Sequence, residues 1–162
     1  MKIFFLLFSA ALYVLSYSPF NYKILIFVSL VIFFKVIEDV SLKNKIRYTF
    51  FYAFLIHALG VSWVSESLIT YGLMNMTGSI LVTTLFIIII SLPYISIALL
   101  HKPIKKNGIY NINLLAVTFL VAEYIKSLFF GGFPWLLIGN SQNGTIFNFI
   151  YPVFGTYMVS YI

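Results

Sequence analysis

Ser79-Ile80-Leu81-Val82-Thr83-Thr84-Leu85-Phe86-Ile87-Ile88-Ile89-Ile90-Ser91-Leu92-Pro93-Tyr94-Ile95-Ser96-Ile97-Ala98-Leu99-Leu100 is the stretch that decides the fold. No charged side chain interrupts it, and Phe86-Ile87-Ile88-Ile89-Ile90 sits at its centre. A membrane-crossing helix needs about 20 mostly apolar residues, within a range of roughly 17–25, and this run meets that length. Working outward between the charge clusters, the same measure predicts five more spans. They run from Met1 to Tyr17, Tyr22 to Ile37, Tyr48 to Val64, Ile109 to Phe130, and from Ile146 to the last residue, Ile162. The first two flank Ser18-Pro19-Phe20-Asn21 and are short, only ~24–26 Å at helical rise. Lys2, Lys23 and Lys35 must therefore snorkel at their ends.

Composition agrees. The 162-residue chain is 62% hydrophobic, 20% aromatic and 9% charged, with a mean hydropathy of +1.03. A soluble domain is nearer ~45–50% apolar and ~25% charged. Ten basic and four acidic side chains are too few to cover a globule in water. A soluble enzyme, a disordered tail and a cytoplasmic nucleic-acid binder are excluded. The net charge of +6 does not suggest nucleic acid, because the lysines are scattered between apolar runs rather than gathered on a solvated basic face. With no cysteine, the chain offers no disulfide, thiolate metal site or cysteine nucleophile. The expected fold is an all-α integral membrane protein of about six transmembrane helices, without internal repeats.

Met1-Lys2 and the apolar stretch to Leu15 have the outline of a signal peptide. The basic region is a single lysine, however, and Tyr17, Pro19 and Phe20 stand where a cleavage site wants small residues. The segment is read as an uncleaved first helix. Basic residues in short loops set the orientation. With the N-terminus cytoplasmic, Lys2, Lys35, Lys43, Lys45, Arg47, Lys102, Lys105 and Lys106 lie inside and only Lys23 and Lys126 outside. The outer face then carries Ser18 to Lys23, Ser65 to Gly78 and Gly131 to Thr145, where Gly, Pro, Trp, Asn and Ser concentrate. The run from Ile146 reaches only ~25 Å, short of the ~30 Å hydrocarbon core, and has no basic flank. Either the helix frays at a thinned interface or, as preferred here, the sequence is truncated within a longer protein.

The outer segments hold the candidate chemistry. Gly131-Gly132-Phe133-Pro134-Trp135 follows the fifth span. Glycine suits a left-handed helix stop, and Pro134 holds Phe133 extended. Trp135 belongs at headgroup depth. This is either an ordinary helix exit with an aromatic anchor or a lipid-facing wall beside the polar shelf Asn140-Ser141-Gln142-Asn143. Gly60-Val61-Ser62-Trp63-Val64-Ser65-Glu66-Ser67 closes the third span in the same manner, with Trp63 at the interface and Glu66 as a solvated carboxylate. Glu123 lies roughly 10 Å below the outer end of the fifth span, with Lys126 at i+3 on the same face. A structural ion pair and a functional intramembrane acid both remain open there. His57 is read as a packing or hydrogen-bonding residue. The sequence shows no metal-ligand spacing, cofactor motif or soluble-enzyme motif, so no catalytic residue, metal ligand or cofactor is assigned.

Taken together, the outer segments resemble a known family. Glu123-Tyr124-Ile125-Lys126 followed by Gly132-Phe133-Pro134-Trp135-Leu136-Leu137-Ile138-Gly139-Asn140-Ser141-Gln142 resembles the membrane-domain motif of apolipoprotein N-acyltransferase. Ser18-Pro19-Phe20-Asn21, Gly60 through Ser67, Thr70-Tyr71-Gly72, and Pro152, Gly155 and Ser160 agree in order and spacing. Two positions depart: Lys126 stands where the family has arginine, which loses bidentate capacity, and Glu66 stands where an apolar residue is usual. The resemblance implies that residues 1–162 are the N-terminal transmembrane domain of a bacterial inner-membrane enzyme with its functional face outward. That enzyme transfers a fatty acyl group from a phospholipid donor to the N-terminal amine of a lipidated cysteine in a lipoprotein acceptor. It works through a thioester on the Glu-Lys-Cys triad of a following nitrilase-like domain. That domain is absent from this chain, which is expected to be inactive by itself and to need such a domain in cis or in trans. Phe133, Pro134 and Trp135, then Trp63, are the expected substrate-binding residues. The rival reading is a non-catalytic membrane protein: a relic, a partner-binding subunit or a small transporter component. For a transporter only His57 and Glu123 offer polar groups at mid-membrane.

Overall fold

A computed structural model describes residues 1–101, 105–106, 109–110, 112–129 and 132–162, the backbone alone at 105–106, 109–110 and 112–113. The described chain is helical apart from one two-residue antiparallel ladder, Lys105–Lys106 with Ile109–Tyr110. In order, the helices are α1 (Lys2–Leu15), α2 (Leu25–Glu38), α3 (Leu42–Val61), α4 (Trp63–Thr70), α5 (Met76–Ser91), a 3-10 turn (Leu92–Tyr94) and α6 (Ile95–Leu100). They continue with α7 (Ile112–Ser127), α8 (Ile138–Ser141), a second 3-10 turn (Ile146–Phe149) and α9 (Tyr151–Tyr161).

The deciding stretch is one continuous helical run, Met76–Leu100, 25 residues long. The Asn75 side chain starts it by accepting from Gly78 N at 2.7 Å, which satisfies an N-terminal amide that has no partner within the helix. Pro93 lacks an N–H and tightens the middle into the 3-10 turn. Among the described residues this is the one straight helix long and apolar enough to cross a membrane; α3 and α4 make a second if their 47° bend is counted as one span. α1 and α2 have 14 residues each, α7 16 and α9 11, so length alone does not establish the other expected spans. Two expected elements differ in kind. The third span does not exit at Trp63 but bends and stays helical to Thr70. The last run is broken at Gly155, whose φ of 71° leaves the helical region, an angle open to glycine because it has no Cβ. Of the basic residues used for orientation, Lys102 lies outside the described residues, as do Phe130 and Gly131. Lys105 and Lys106 are described by backbone only.

Five helical pieces meet at an aromatic centre. Phe33 of α2 stacks on Tyr52 of α3 at 4.2 Å and meets Phe119 of α7 edge-on at 5.8 Å. Tyr94 reaches Phe119 at 6.0 Å and Tyr13 of α1 reaches Tyr52 at 6.2 Å. Offset and edge-on pairs suit the ring quadrupole. α1 packs tightly on α2 where small residues let the backbones approach. Ser9 Oγ donates to Ser29 O at 2.8 Å, Ser29 Oγ donates back to Ser9 O at 2.7 Å, and Ser29 Oγ also lies 2.9 Å from Tyr52 Oη. α1 is thus built into the core.

Candidate functional site

Residues of two segments read as outward-facing, Ser18 to Lys23 and the stretch up to Thr145, come together in the fold with the end of the third span. They line a cleft of about 550 Å³ whose walls include Ser18 and Asn21 from the α1–α2 connection, Trp63 from α4, and Trp135, Asn140 and Asn143 from the α7–α9 connection. Its volume lies within the ~300–1,000 Å³ of small-ligand sites, and among the described residues no Lys, Arg, Asp or Glu lines it. Trp63 and Trp135, both about half-exposed, face each other with ring centroids 5.8 Å apart. Phe133 stacks on Trp135 at 5.2 Å and meets Phe86 of α5 edge-on at 4.9 Å. Phe86, Phe133, Trp135 and Trp63 therefore form one aromatic row. Trp63, Pro134 and Trp135 line the cleft directly, while Phe133 backs Trp135 against α5.

The loop bearing Trp135 turns back into the bundle. Gly132 sits at φ 100° and Leu136 at φ 57°. A left-handed leucine is uncommon and persists only when its surroundings hold it. Here the surroundings are hydrogen bonds with buried and half-buried side chains. Tyr13 Oη donates to Leu136 O at 2.9 Å and Tyr17 Oη to Leu137 O at 2.8 Å. Lys126 Nζ donates to Trp135 O at 2.7 Å, and Ile138 N donates to the carboxylate of Glu123. Leu136 then fills the space over Gly60, where an added Cβ would lie 2.6 Å from Leu136 Cδ1. Beyond the loop, Ser160 Oγ accepts from Gly139 N at 2.8 Å, Tyr151 Oη donates to Gly139 O, and Gln142 Nε2 donates to Lys23 O at 3.2 Å. The shelf is thereby tied to α9 and to the α1–α2 connection.

Glu123 and Lys126 are both fully buried, but their hydrogen bonds go to the loop rather than to each other. Lys126 Nζ also reaches Tyr94 Oη at 3.4 Å, and Glu123 Oε2 has no hydrogen-bond partner. The i, i+3 spacing placed them on one face, and the folded-back loop supplies their hydrogen-bond partners. Glu66 is exposed on α4, accepting from Thr70 Oγ1 at 3.3 Å, and does not line the cleft. His57 lies in the core with Nδ1 3.0 Å from Ser91 Oγ and its ring edge-on to Tyr94 at 5.3 Å. The residues that sequence reasoning missed are Tyr13, Tyr17 and Tyr151. For the first two a signal existed: tyrosines at i and i+4 share a helix face just before Ser18-Pro19.

Comparison with known proteins bears on this arrangement. A family model described as the apolipoprotein N-acyltransferase N-terminal domain matches residues 9–162. The chain belongs to this family. Individual relatives agree. The apolipoprotein N-acyltransferase of Methylococcus capsulatus is 29% identical over 152 residues, covering 91% of this chain and 30% of that protein. Those of Coxiella burnetii (28% identical, 96% of this chain, 33% of that protein) and Haemophilus influenzae (29%, 91% and 28%) align similarly. The chain thus spans about a third of the length of the relatives it matches. The family match takes in the whole of the loop and shelf.

Proposed function

We propose that these residues form the membrane part of an apolipoprotein N-acyltransferase, crossing a bacterial inner membrane about six times with the N-terminus cytoplasmic. The cleft faces outward. Its aromatic row, Trp63, Phe133 and Trp135 with Pro134, contacts the acyl chains of a phospholipid donor or lipoprotein acceptor, and the uncharged shelf holds polar head atoms. In this reading acyl transfer is performed by a nitrilase-like domain, in cis or in trans, whose cysteine carries the acyl group as a thioester. The membrane part anchors that domain and presents the lipid. The observation that carries the proposal is the convergence of the α1–α2 connection, the α3–α4 bend and the Trp135 loop on one cleft, with that loop held by Tyr13, Tyr17, Glu123 and Lys126.

The test joins the chain to a nitrilase-like domain bearing the Glu-Lys-Cys triad and measures acylation of a diacylated lipoprotein peptide in vesicles. The joined protein is expected to acylate the peptide, while the chain alone and the catalytic domain alone are not. Activity of the catalytic domain undiminished by omitting this chain would refute the role assigned to the membrane part.

A further inference from the structure

The cleft is walled by two parts of the fold that hydrogen bonds do not join. On one side the carbonyls of Trp135, Leu136 and Leu137 are tied to Lys126 of α7 and to Tyr13 and Tyr17, on and just beyond α1. Among the described residues no hydrogen bond runs from residues 132–138 to α3 or α4. On the other side Trp63 is carried by α4, none of whose residues is buried. That helix is tied to α5, where Ser79 Oγ donates to Ser65 O at 2.5 Å. Yet the two indoles meet, with centroids 5.8 Å apart and planes tilted by 45°. A second contact between the walls lies beside the first. Leu136 follows Trp135, and Gly60 precedes Trp63 by three positions, a spacing that makes neighbours on a helix surface. Both line the cleft. Leu136 is buried, and a Cβ at Gly60 would lie 2.6 Å from its Cδ1, 3.0 Å from its Cδ2 and 3.3 Å from its Cγ. The whole branched end of the leucine occupies the notch that glycine leaves, so turning its methyl groups would not clear it.

An apolar chain lying between two rings needs about 7–8 Å between their centres, twice the ~3.5–4.0 Å of ordinary carbon–carbon contact. The indoles stand closer than that, so the space between them is shut. We infer that Leu136 and Gly60 are positioning residues for the aromatic row: the leucine seated in the glycine notch fixes how far Trp135 stands from Trp63. Hydrogen bonds place the loop on α1 and α7, and this contact places it on α3 and α4. Relaxing the 2.6 Å approach to ordinary contact needs a displacement of roughly 0.9–1.4 Å. Passed on to the rings, that would widen their separation to about 6.7–7.2 Å, the threshold at which a chain could enter. On the acyl-contact reading above, the chain in the parent protein lies along the row and not between Trp63 and Trp135. The positioning itself does not depend on that reading.

The test uses the whole chain in phospholipid nanodiscs, labelled with fluorotryptophan. Its two tryptophans give two fluorine resonances, assigned with Trp63→Leu and Trp135→Leu. The Trp135→Leu protein also shows where the Trp63 line falls without its neighbour, and the difference from the parent is the ring-current shift. That shift falls roughly as the inverse cube of the separation. Moving the rings from 5.8 Å to about 6.7–7.2 Å should therefore remove about a third to a half of it in Gly60→Ala. In a Leu136→Ala background the same glycine substitution meets no branched side chain. There it should move the line less than about a third as far, the non-additivity expected of two residues in contact. Circular dichroism establishes that each variant is folded. If Gly60→Ala does not fold, Leu136→Ala alone decides: a displaced Trp63 line supports the positioning role, and a line at the parent position overturns it. A parent-like Trp63 line in folded Gly60→Ala, or equal displacements with leucine and with alanine at position 136, also overturns it. So does a Trp63 line indifferent to Trp135→Leu, which would mean that the indoles do not meet. No acyl transfer is measured, so the positioning role can hold where the acyltransferase reading fails, and the reverse.

Discussion

Glu123→Ala should undock the Trp135 loop. The carboxylate accepts from Ile138 N in a fully buried setting, and alanine would leave that amide without a partner. A hydrogen bond to a charged group contributes about 1.5–3 kcal/mol, and an orphaned buried donor forfeits about 1–3 kcal/mol of solvation. Much of the second range is the same loss counted from the other partner, so about 2–4 kcal/mol is the expected penalty on the docked loop. That is a shift of roughly 30- to 700-fold in its population relative to undocked forms. Lys126 would remain buried with Trp135 O and Tyr94 Oη as its partners, adding to the penalty rather than relieving it. Glu123→Gln keeps an acceptor of the same shape and should lose only about 1 kcal/mol. The chain has two tryptophans, so in a Trp63→Phe background the emission of Trp135 reports the loop alone. In vesicles containing lipids brominated along the acyl chain, Glu123→Ala should shift the emission maximum and change the quenching profile, with Glu123→Gln close to the parent. Emission and quenching identical in parent and Glu123→Ala would show that the carboxylate does not hold the loop, and the reasoning would fail.

Other consequences can be checked separately. Gly139→Ala would push a Cβ into the Thr156 carbonyl and within 2.8 Å of Thr156 Cγ2; overpacking of this kind costs about 1–3 kcal/mol, so the unfolding midpoint in detergent should fall and α8 should become more protease-sensitive. Because the chain has no cysteine, single substitutions report topology: Asn143→Cys should react with an impermeant maleimide from outside intact cells, and Lys43→Cys only after permeabilisation. The opposite pattern would invert the orientation. Burial, reinforced by the neighbouring Lys45 charge and opposed by Glu38, holds the His101 imidazole below its ordinary range. The folded protein therefore takes up that proton less readily than the unfolded chain. The stability is intact above the ordinary imidazole pKa of ~6.5 and is lost as pH falls through the lower folded value. The unfolding midpoint should drop on acidification from about pH 7.5 to about pH 5.5, and His101→Gln should flatten that drop.

Apolar length alone located the helices well. The run around Phe86 to Ile90 and the break at Ser18-Pro19 both fall where the charge clusters placed them, because hydrophobic spacing is a local property. What the sequence hid was non-local. Nothing in Trp63-Val64-Ser65 distinguishes a helix exit from a 47° bend into another helix. Gly155 reads as a small residue within an apolar run until its φ is known. Glu123 and Lys126, taken three residues apart on a helix, suggest each other as partners. That they hold a loop at 135–138 depends on that loop folding back, and on tyrosines more than 100 positions earlier meeting it. Trp63 and Trp135 were legible as interface aromatics, but their convergence on one cleft with Asn21 and Asn143 needed the fold.

The central claim is that the aromatic row contacts lipid during acyl transfer. The most direct measurement is the initial rate of lipoprotein-peptide acylation by the joined enzyme, as a function of phospholipid mole fraction, for the parent and Trp135→Ala. Removing a half-exposed tryptophan from a lipid-contacting row forfeits about 1.4 kcal/mol of binding, or tenfold, on an apolar area of order 50–60 Å². The account predicts an apparent KM for phospholipid raised about tenfold, with kcat nearly unchanged and rates recovering at high lipid. A saturation curve for Trp135→Ala superimposable on the parent's would contradict it.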